Sequence, residues 1–216
     1  MKTAKEMFDR YIPEIKKFDV DWYFIKDACM QTINKEAGKE PSDEWKKKLL
    51  MAEHSPIRRS MISIKWGKIP YCTSVHFCRH HEGIEKFVST SRTDRTGVDR
   101  SERKQTDFVS MQMDMNIQAL INLSRKRLCG CADPETRKYM EGLVYAVAEK
   151  DPIVAQACVP ECIRDGGCPE FYPCGMYDGL KDKLGVASTM QERYGLYNST
   201  PKRKVLLRKW LTKKIY

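Results

Sequence analysis

Residues 60–66, Ser-Met-Ile-Ser-Ile-Lys-Trp, alternate between apolar and polar side chains. That period of two marks a half-buried strand. Gly67 to Pro70 carry turn residues, and Tyr71 to Cys78 read as a second strand. The other periodic segments read as helices. Met7, Phe8, Tyr11, Ile12 and Ile15 predict a helix over residues 4–18, with Pro13 as a kink or break. Trp22, Ile25, Cys29 and Ile33 predict a second over 21–36. A third begins at Ser42, whose hydroxyl caps it while Asp43 and Glu44 suit the positive end of its dipole. Residues 93–106 are charged and read as a loop. Residues 108–128, rich in Met, Leu and Ile, read as the strongest helix of the chain. Asp133-Pro134 opens another, with a stripe of Met140, Leu143, Val144 and Val147. After residue 157 comes a stretch rich in Cys, Pro and Gly, followed by less regular helices. There is no internal repeat and no low-complexity segment.

A chain of 216 residues builds one full core, or one core with a small appendage. The expected division is a domain over residues 1–157, with a Cys-rich segment and basic tail over 158–216 packed on it. No apolar run is long enough to span a bilayer, and the N-terminal residues have no secretory apolar stretch, so a cytoplasmic protein is expected. The net charge of +10 favours anionic partners such as nucleotides. Part of it lies in residues 201–214, PKRKVLLRKWLTKK, which read as a solvated amphipathic helix or as a nucleic-acid tail. No zinc-finger spacing and no RNP-type aromatic motif accompany that tail, so nucleic acid is not the expected partner. There is no Walker A sequence and no GxGxxG, which sets aside the ordinary loops for holding phosphate.

Residues 79–92, RHHEGIEKFVSTSR, concentrate chemistry. They suit a metal site, an anion site or a polar strand end. Neighbouring His80 and His81 on a strand would point to opposite faces, which disfavours one shared metal. Arg79 can fork onto a phosphate or a ring carbonyl, and hydroxyls followed by Arg92 suit an anion-binding loop. Local chemistry therefore favours a nucleotide phosphate over a metal. Further on, Asn116 and Arg127 stand eleven residues apart on one helical face, about 16 Å along the axis. Asn122 points about a third of a turn away. These residues suit a long cofactor with a second ligand beside it, or the polar face of a packed helix.

The segment RHHEGIEKFVS resembles the signature of the flavin-dependent thymidylate synthases: Arg-His-Arg, seven residues, then Ser. Arg79, His80 and Ser89 fall on it, and His81 replaces the second Arg. IPYCTSVHFCRHH looks like the strand leading into that motif. EHSPIRRSMISI is similar to the family's His-x-(Ser/Thr)-Pro block, with His54 one place off. NIQALINLSRKR resembles the family helix carrying two Asn and a closing Arg, and Asn116, Asn122 and Arg127 keep its spacing. Arg100 stands where the family has another nucleotide-binding Arg. The resemblance covers about residues 45–150, with the blocks in the family's order. Lys86-Phe87 replace the family's Asn-Glu before the Ser. Ser91 stands in place of its following Arg, with Arg92 one later.

That resemblance implies an α+β fold, with helices around an antiparallel sheet. It implies a homotetramer that binds FAD between subunits and methylates dUMP to dTMP, using methylenetetrahydrofolate and NADPH as co-substrates. His54, Arg79, His80, His81, Asn116 and Asn122 would hold the flavin. Ser89, Arg92, Arg100 and Arg127 would bind the nucleotide, with Ser89 and Arg127 at the reacting end. A related flavin enzyme acting on another pyrimidine nucleotide, for example by hydroxymethylation, is an alternative. A non-catalytic nucleotide- or nucleic-acid-binding paralogue is another.

Nine cysteines, an odd number, argue against a disulfide framework in a chain without a signal peptide. The family resemblance does not explain them. Cys158, Cys162, Cys168 and Cys174 lie close together in sequence, among turn-forming Gly166, Gly167 and Pro169. They read as a structural zinc set or as reduced core thiols. Cys129 and Cys131 end the helix carrying Arg127.

Overall fold

A computed structural model describes residues 8–184, 189–204 and 207. Its centre is an antiparallel sheet in the order β1-β2-β4-β3, formed by β1 (Glu14–Asp19), β2 (Met61–Pro70), β3 (Ile84–Val88) and β4 (Phe108–Met115). Around it stand α1 (Trp22–Gln31), α2 (Asp43–Ala52), α3 (Tyr71–Cys78), the short turn α4 (Thr93–Thr96), α5 (Ile117–Arg127), α6 (Pro134–Ala148), α7 (Pro152–Ala157), α8 (Glu161–Asp165), α9 (Met176–Leu184) and α10 (Met190–Ser199). The fold is α+β, as the resemblance implies. Among the described residues, no helix is long and apolar enough to cross a membrane.

Strand β2 carries the expected alternation. Ile62, Ile64 and Trp66 are buried on the face toward the helices. The expected turn at Gly67–Pro70 is instead a continuation of the strand past an irregularity between Trp66 and Ile69. Ser42 caps α2 by accepting from Trp45 N at 3.2 Å, and Asp133 caps α6 by accepting from Thr136 N at 2.7 Å. The α6 stripe of Met140, Leu143, Val144 and Val147 is fully buried.

Three segments differ from the sequence reading, each for a local reason. Residues 14–19 are a strand, not the end of a helix over 4–18, of which residues 4–7 lie outside the described residues. A bulge between Ile15 and Lys17 lets Ile15 pair with Ile64 and Phe18 with Ile62. Of the apolar residues that predicted the helix, Phe8, Tyr11 and Ile12 precede the strand and only Ile15 lies in it. Tyr71–Cys78 is a helix, not a strand. Its aromatic and β-branched residues favour a strand, but its first amides donate to the loop before β4: Tyr71 N to Asp107 O at 2.8 Å and Cys72 N to Gln105 O at 2.9 Å. Residues 108–128 split into a strand and a helix. Val109, Met111, Met113 and Met115 alternate into the core, and Asn116 then starts the helix. The loop over 93–106 contains only short helical turns. Of the basic segment 201–214, residues 201–204 and 207 are described as helical and the remainder lies outside the described residues.

The main core joins the sheet to α5, α6 and α7. A smaller cluster of Val159, Cys162, Ile163, Leu180, Tyr194 and Tyr197 ties the later helices together, with Met51 of α2 packed against it. At the edge of the main core Trp66 Nε1 donates to Tyr11 O at 2.9 Å, and that same carbonyl faces Gly142 of α6. A methyl group on Gly142 would lie 2.2 Å from Tyr11 O. Backbone on both sides cannot yield cheaply. Gly142→Ala should therefore lower stability by about 1–3 kcal/mol, read as a fall in the urea midpoint. An unchanged midpoint would show that the N-terminal turn does not sit on α6 in solution.

Candidate functional site

The three motif blocks of the sequence meet at the start of α5. Asn116 has extended backbone and caps the helix, its Oδ1 accepting from Ala119 N at 2.9 Å. Its own N–H donates to Gly83 O, in the signature loop, at 3.4 Å. The next amide, Ile117 N, donates to the hydroxyl of Ser60, which closes the EHSPIRRS block, at 2.9 Å. Gly83 has φ +68°, and a Cβ there would lie 2.9 Å from Asn116 Nδ2 and 3.3 Å from Ala119 Cβ. Only glycine allows both the turn and this approach.

The signature loop then runs along α5. His80 and His81 follow a helix rather than ending a strand, so the alternation of a strand's faces does not govern them. At the far end of α5, Arg127 Nε donates to His80 Nε2 at 3.0 Å. His80 and Gly83 are three residues apart, which spans about 10 Å at most. Asn116 and Arg127 lie about 16 Å apart along the helix. The arginine makes up the difference, because helical side chains lean toward the N-terminus. Lys86 donates to His80 O and to His81 Nδ1, the latter at 3.3 Å.

For Arg127 to donate, His80 must be neutral with its proton on Nδ1. Burial, then the charges of Arg127, Lys86 and His81, push its pKa down to about 4. Arg127 is itself half-buried, and burial and Arg79 lower its pKa. Neutral His80 thus sits against Arg127, which also feels the positive charge of Arg79. Residues expected on separate flavin and nucleotide subsites are in direct contact here.

A cleft of about 500 Å³ opens beside the Asn116 junction, lined by Glu53, Arg58, Glu82, Gly83, Gln118 and Asn122 among others. Glu53 organises its wall. This residue ends α2 in a left-handed conformation, φ 52°, which is uncommon for a residue other than glycine. Its side chain, 13% exposed, accepts from Arg125, from Arg164 Nε at 2.7 Å and from Gln118 Nε2 at 2.6 Å. Asn122 Oδ1 accepts from Gln118 at 3.1 Å and from Arg125 at 3.0 Å. Its oxygen is thus held by protein donors, leaving the amide NH2 to serve a ligand. The sequence reading missed Glu53, Gln118, Arg125 and Arg58. Glu53 immediately precedes the His54-Ser55-Pro56 block, but nothing in its local pattern signals burial against two arginines.

The remaining expected residues lie elsewhere. His54 is exposed at the head of the turn Ser55–Arg59. Ser89 Oγ accepts from Ser110 N at 3.0 Å, extending the β3–β4 ladder. Arg92 forks onto Asp94 at 2.8 and 2.9 Å, and Arg100 opens an exposed turn. Of the expected site residues, Asn116 and Asn122 line the cleft; His54, Arg79, His80, His81, Ser89, Arg92, Arg100 and Arg127 do not. A second, apolar cavity of about 400 Å³ between α2, α7 and α10 contains no motif residue. Among the described residues, no three His, Cys, Asp or Glu side chains are arranged to hold a metal ion as they stand. Cys158 leaves the expected zinc set. It is fully buried in the main core, its thiol donates to Val154 O at 3.5 Å, and burial pushes its pKa up to about 12.

The chain has an α+β fold found in a pyrimidine-nucleotide methylase. It is similar to the structure of the UMP/dUMP methylase PolB from Streptomyces cacaoi bound with 5-Br dUMP, with a TM-score of 0.56 and 12% identity over 67% of this chain and 93% of that one. The same methylase bound with 5-Br UMP matches with a TM-score of 0.52 and 12% identity, over 67% of this chain and 92% of the other. No family model and no curated protein matches by sequence.

The His80 contact predicts a pH response. The ring should stay neutral as the Nδ1–H tautomer down to about pH 4, against an ordinary value of 6.5. Between those values the unfolded chain takes up a proton that the folded chain refuses, so the ring's contribution to stability is lost as pH falls through that window. Ring-nitrogen NMR should show this, and Arg127→Ala should move the titration upward. A wild-type titration near 6.5 would mean that the ring is solvated. Glu53→Ala should cost about 3 kcal/mol, the lower end for a broken buried pair, because Arg164 is a third exposed and keeps Asp165. A loss under about 1 kcal/mol in urea unfolding would mark the network as a solvated surface pair.

Proposed function

We propose that the protein is a flavin-dependent enzyme that methylates dUMP to dTMP, drawing the one-carbon unit from methylenetetrahydrofolate and reducing equivalents from NADPH. One observation carries this reading. The EHSPIRRS block, the signature loop and the Asn-Arg helix, separated in sequence, are hydrogen-bonded at one junction through Ser60, Gly83 and Asn116. The likeness to a UMP/dUMP methylase adds a fold on which pyrimidine-nucleotide chemistry is known.

Two of the cleft residues would serve a flavin. Asn122 offers its amide N–H groups, while Arg58 supplies an exposed cation for a pyrophosphate. Flavin, when bound, carries the one-carbon and hydride chemistry. The protein's part is to bind and polarise. Neutral His80 holds Arg127 by its Nε, which aims the remaining guanidinium N–H groups at a phosphate or a uracil oxygen. Arg79 adds a second positive group beside them. Ser89 keeps a hydroxyl proton to donate, because its oxygen lone pair already serves Ser110 N. Ser89, Arg92 and Arg100 stand apart from the cleft of their own chain. A homotetramer whose sites lie between subunits would bring such groups onto a neighbour's cleft.

Purified protein should show flavin absorbance bands, or gain them on adding FAD. Anaerobic incubation with dUMP, methylenetetrahydrofolate and NADPH should then yield dTMP, with UMP as the comparison substrate. Arg127→Ala should weaken dUMP binding by about 1.5–3 kcal/mol, the value of a charged hydrogen bond, while Asn122→Ala should reduce flavin retention. A protein giving no spectral or calorimetric response to FAD would overturn the reading. Flavin binding with turnover of a different pyrimidine nucleotide would move the proposal to that substrate.

A further inference from the structure

We propose that Cys129, Cys162, Cys168 and Cys174 form a structural zinc site that fastens the segment after α8 to the C-terminal end of α5. These four residues line one small cavity of about 10 Å³, together with Arg125. That is room for about one sphere of water or ion size. Cys129 follows the last turn of α5, Cys162 lies in α8, and Cys168 and Cys174 come from the loop before α9. Four thiols thus converge from separate parts of the chain, and Cys162 lies close enough to feel the charge of the other three.

Two further observations point to a ligand. The first is Gly130. A Cβ there would lie 2.6 Å from Cys174 Sγ, so the turn Cys129–Cys131 is bare where Cys174 closes on it. Within that turn the amide of Cys131 donates to Cys129 Sγ at 3.4 Å. The second is Arg125. Its Nε is buried and has no hydrogen-bond partner, while its other nitrogens serve Glu53 and Asn122. An unpaired guanidinium N–H is costly. A neutral thiol is a weak acceptor, but a zinc-bound thiolate is anionic and accepts well.

The sulfurs do not yet stand in ligand geometry. Tetrahedral zinc holds its sulfurs at about 2.3 Å, which sets them about 3.8 Å apart. Rotation about a single Cα–Cβ bond moves a cysteine sulfur by up to about 3 Å, and the proposal requires such rotamer changes at these cysteines. The turns that frame it have left-handed glycines, Gly166 at φ 78° and Gly175 at φ 75°. Cys131 does not line the cavity and donates to Tyr172 O at 3.3 Å, so it stays outside the set. With four protein ligands and no open position, the ion would be structural. This inference stands independently of the proposed enzyme activity.

The experiment is metal analysis of untagged full-length protein, followed by cobalt substitution. About one equivalent of zinc is expected, and cobalt should give the intense visible bands of tetrahedral thiolate coordination. Cys129→Ser and Cys174→Ser should lose the metal, whereas Cys158→Ala and Cys131→Ser should retain it. X-ray absorption on the wild type counts sulfur neighbours even if a variant fails to fold. The proposal is overturned by zinc below about a tenth of an equivalent after refolding with excess zinc. Equal metal loss in Cys158→Ala and Cys129→Ser would overturn it too, as would a disulfide within the set in freshly purified protein.

Discussion

The hydrogen bonds around Asn116 are the constraint on which the arrangement of the site depends. A strand cannot become a helix within one residue unless the freed amides find acceptors. Here they find Asn116's own side chain and the Ser60 hydroxyl, while Asn116's backbone amide reaches the Gly83 carbonyl. One acceptor belongs to the segment entering β2 and one to the loop entering β3. The junction therefore sets the helix, the signature loop and the upstream block in mutual register. Asn116 satisfies a helix end and borders the cleft at once. Substituting it would disturb the cap as well as any ligand, so its effect on catalysis could not be separated from its effect on local structure.

The opposite end of α5 is controlled by electrostatics. Arg125, Lys126 and Arg127 fill the last turn, where positive charge complements the helix dipole. Each has a different task. Arg125 turns to Glu53 and Asn122, Lys126 pairs with Glu161, and Arg127 meets His80. Three adjacent cations thus tie the helix to α2, to α8 and to the signature loop. The dipole lowers the electrostatic cost of gathering them, and the fold then distributes them over separate partners.

Much of this was legible in the sequence where local chemistry decides the structure. Ser42 and Asp133 cap helices because their oxygens match the free amides, and the α6 stripe is buried as its spacing requires. Legibility failed where tertiary partners override local preference. The spacing of Phe8, Tyr11 and Ile12 was carried on through Ile15 into a strand that pairs with β2, and α3 owes its start to carbonyls thirty-odd residues further on. Residues 108–115 alternated correctly for a strand, but continuity with the helix behind Asn116 hid the change of period. In the candidate site, the order of the motif blocks pointed to segments that do meet, Arg127 with His80 at one end of α5 and Asn116 with Gly83 at the other. Glu53 was invisible because its role arises from long-range partners, and Cys158 was misassigned because sequence proximity does not reveal which way a buried thiol faces.

The bulge in β1 also bears on how copies of the chain can associate. β1 and β3 are the edges of the sheet, and open edges invite further strands. β1 is interrupted by the bulge and carries Glu14, Lys16, Lys17 and Asp19, while β3 is short and carries Glu85 and Lys86. Such edges are poor templates for another strand. Specific assembly would thus be directed to helices and to the face of the sheet, away from the edge-to-edge stacking that leads to aggregates.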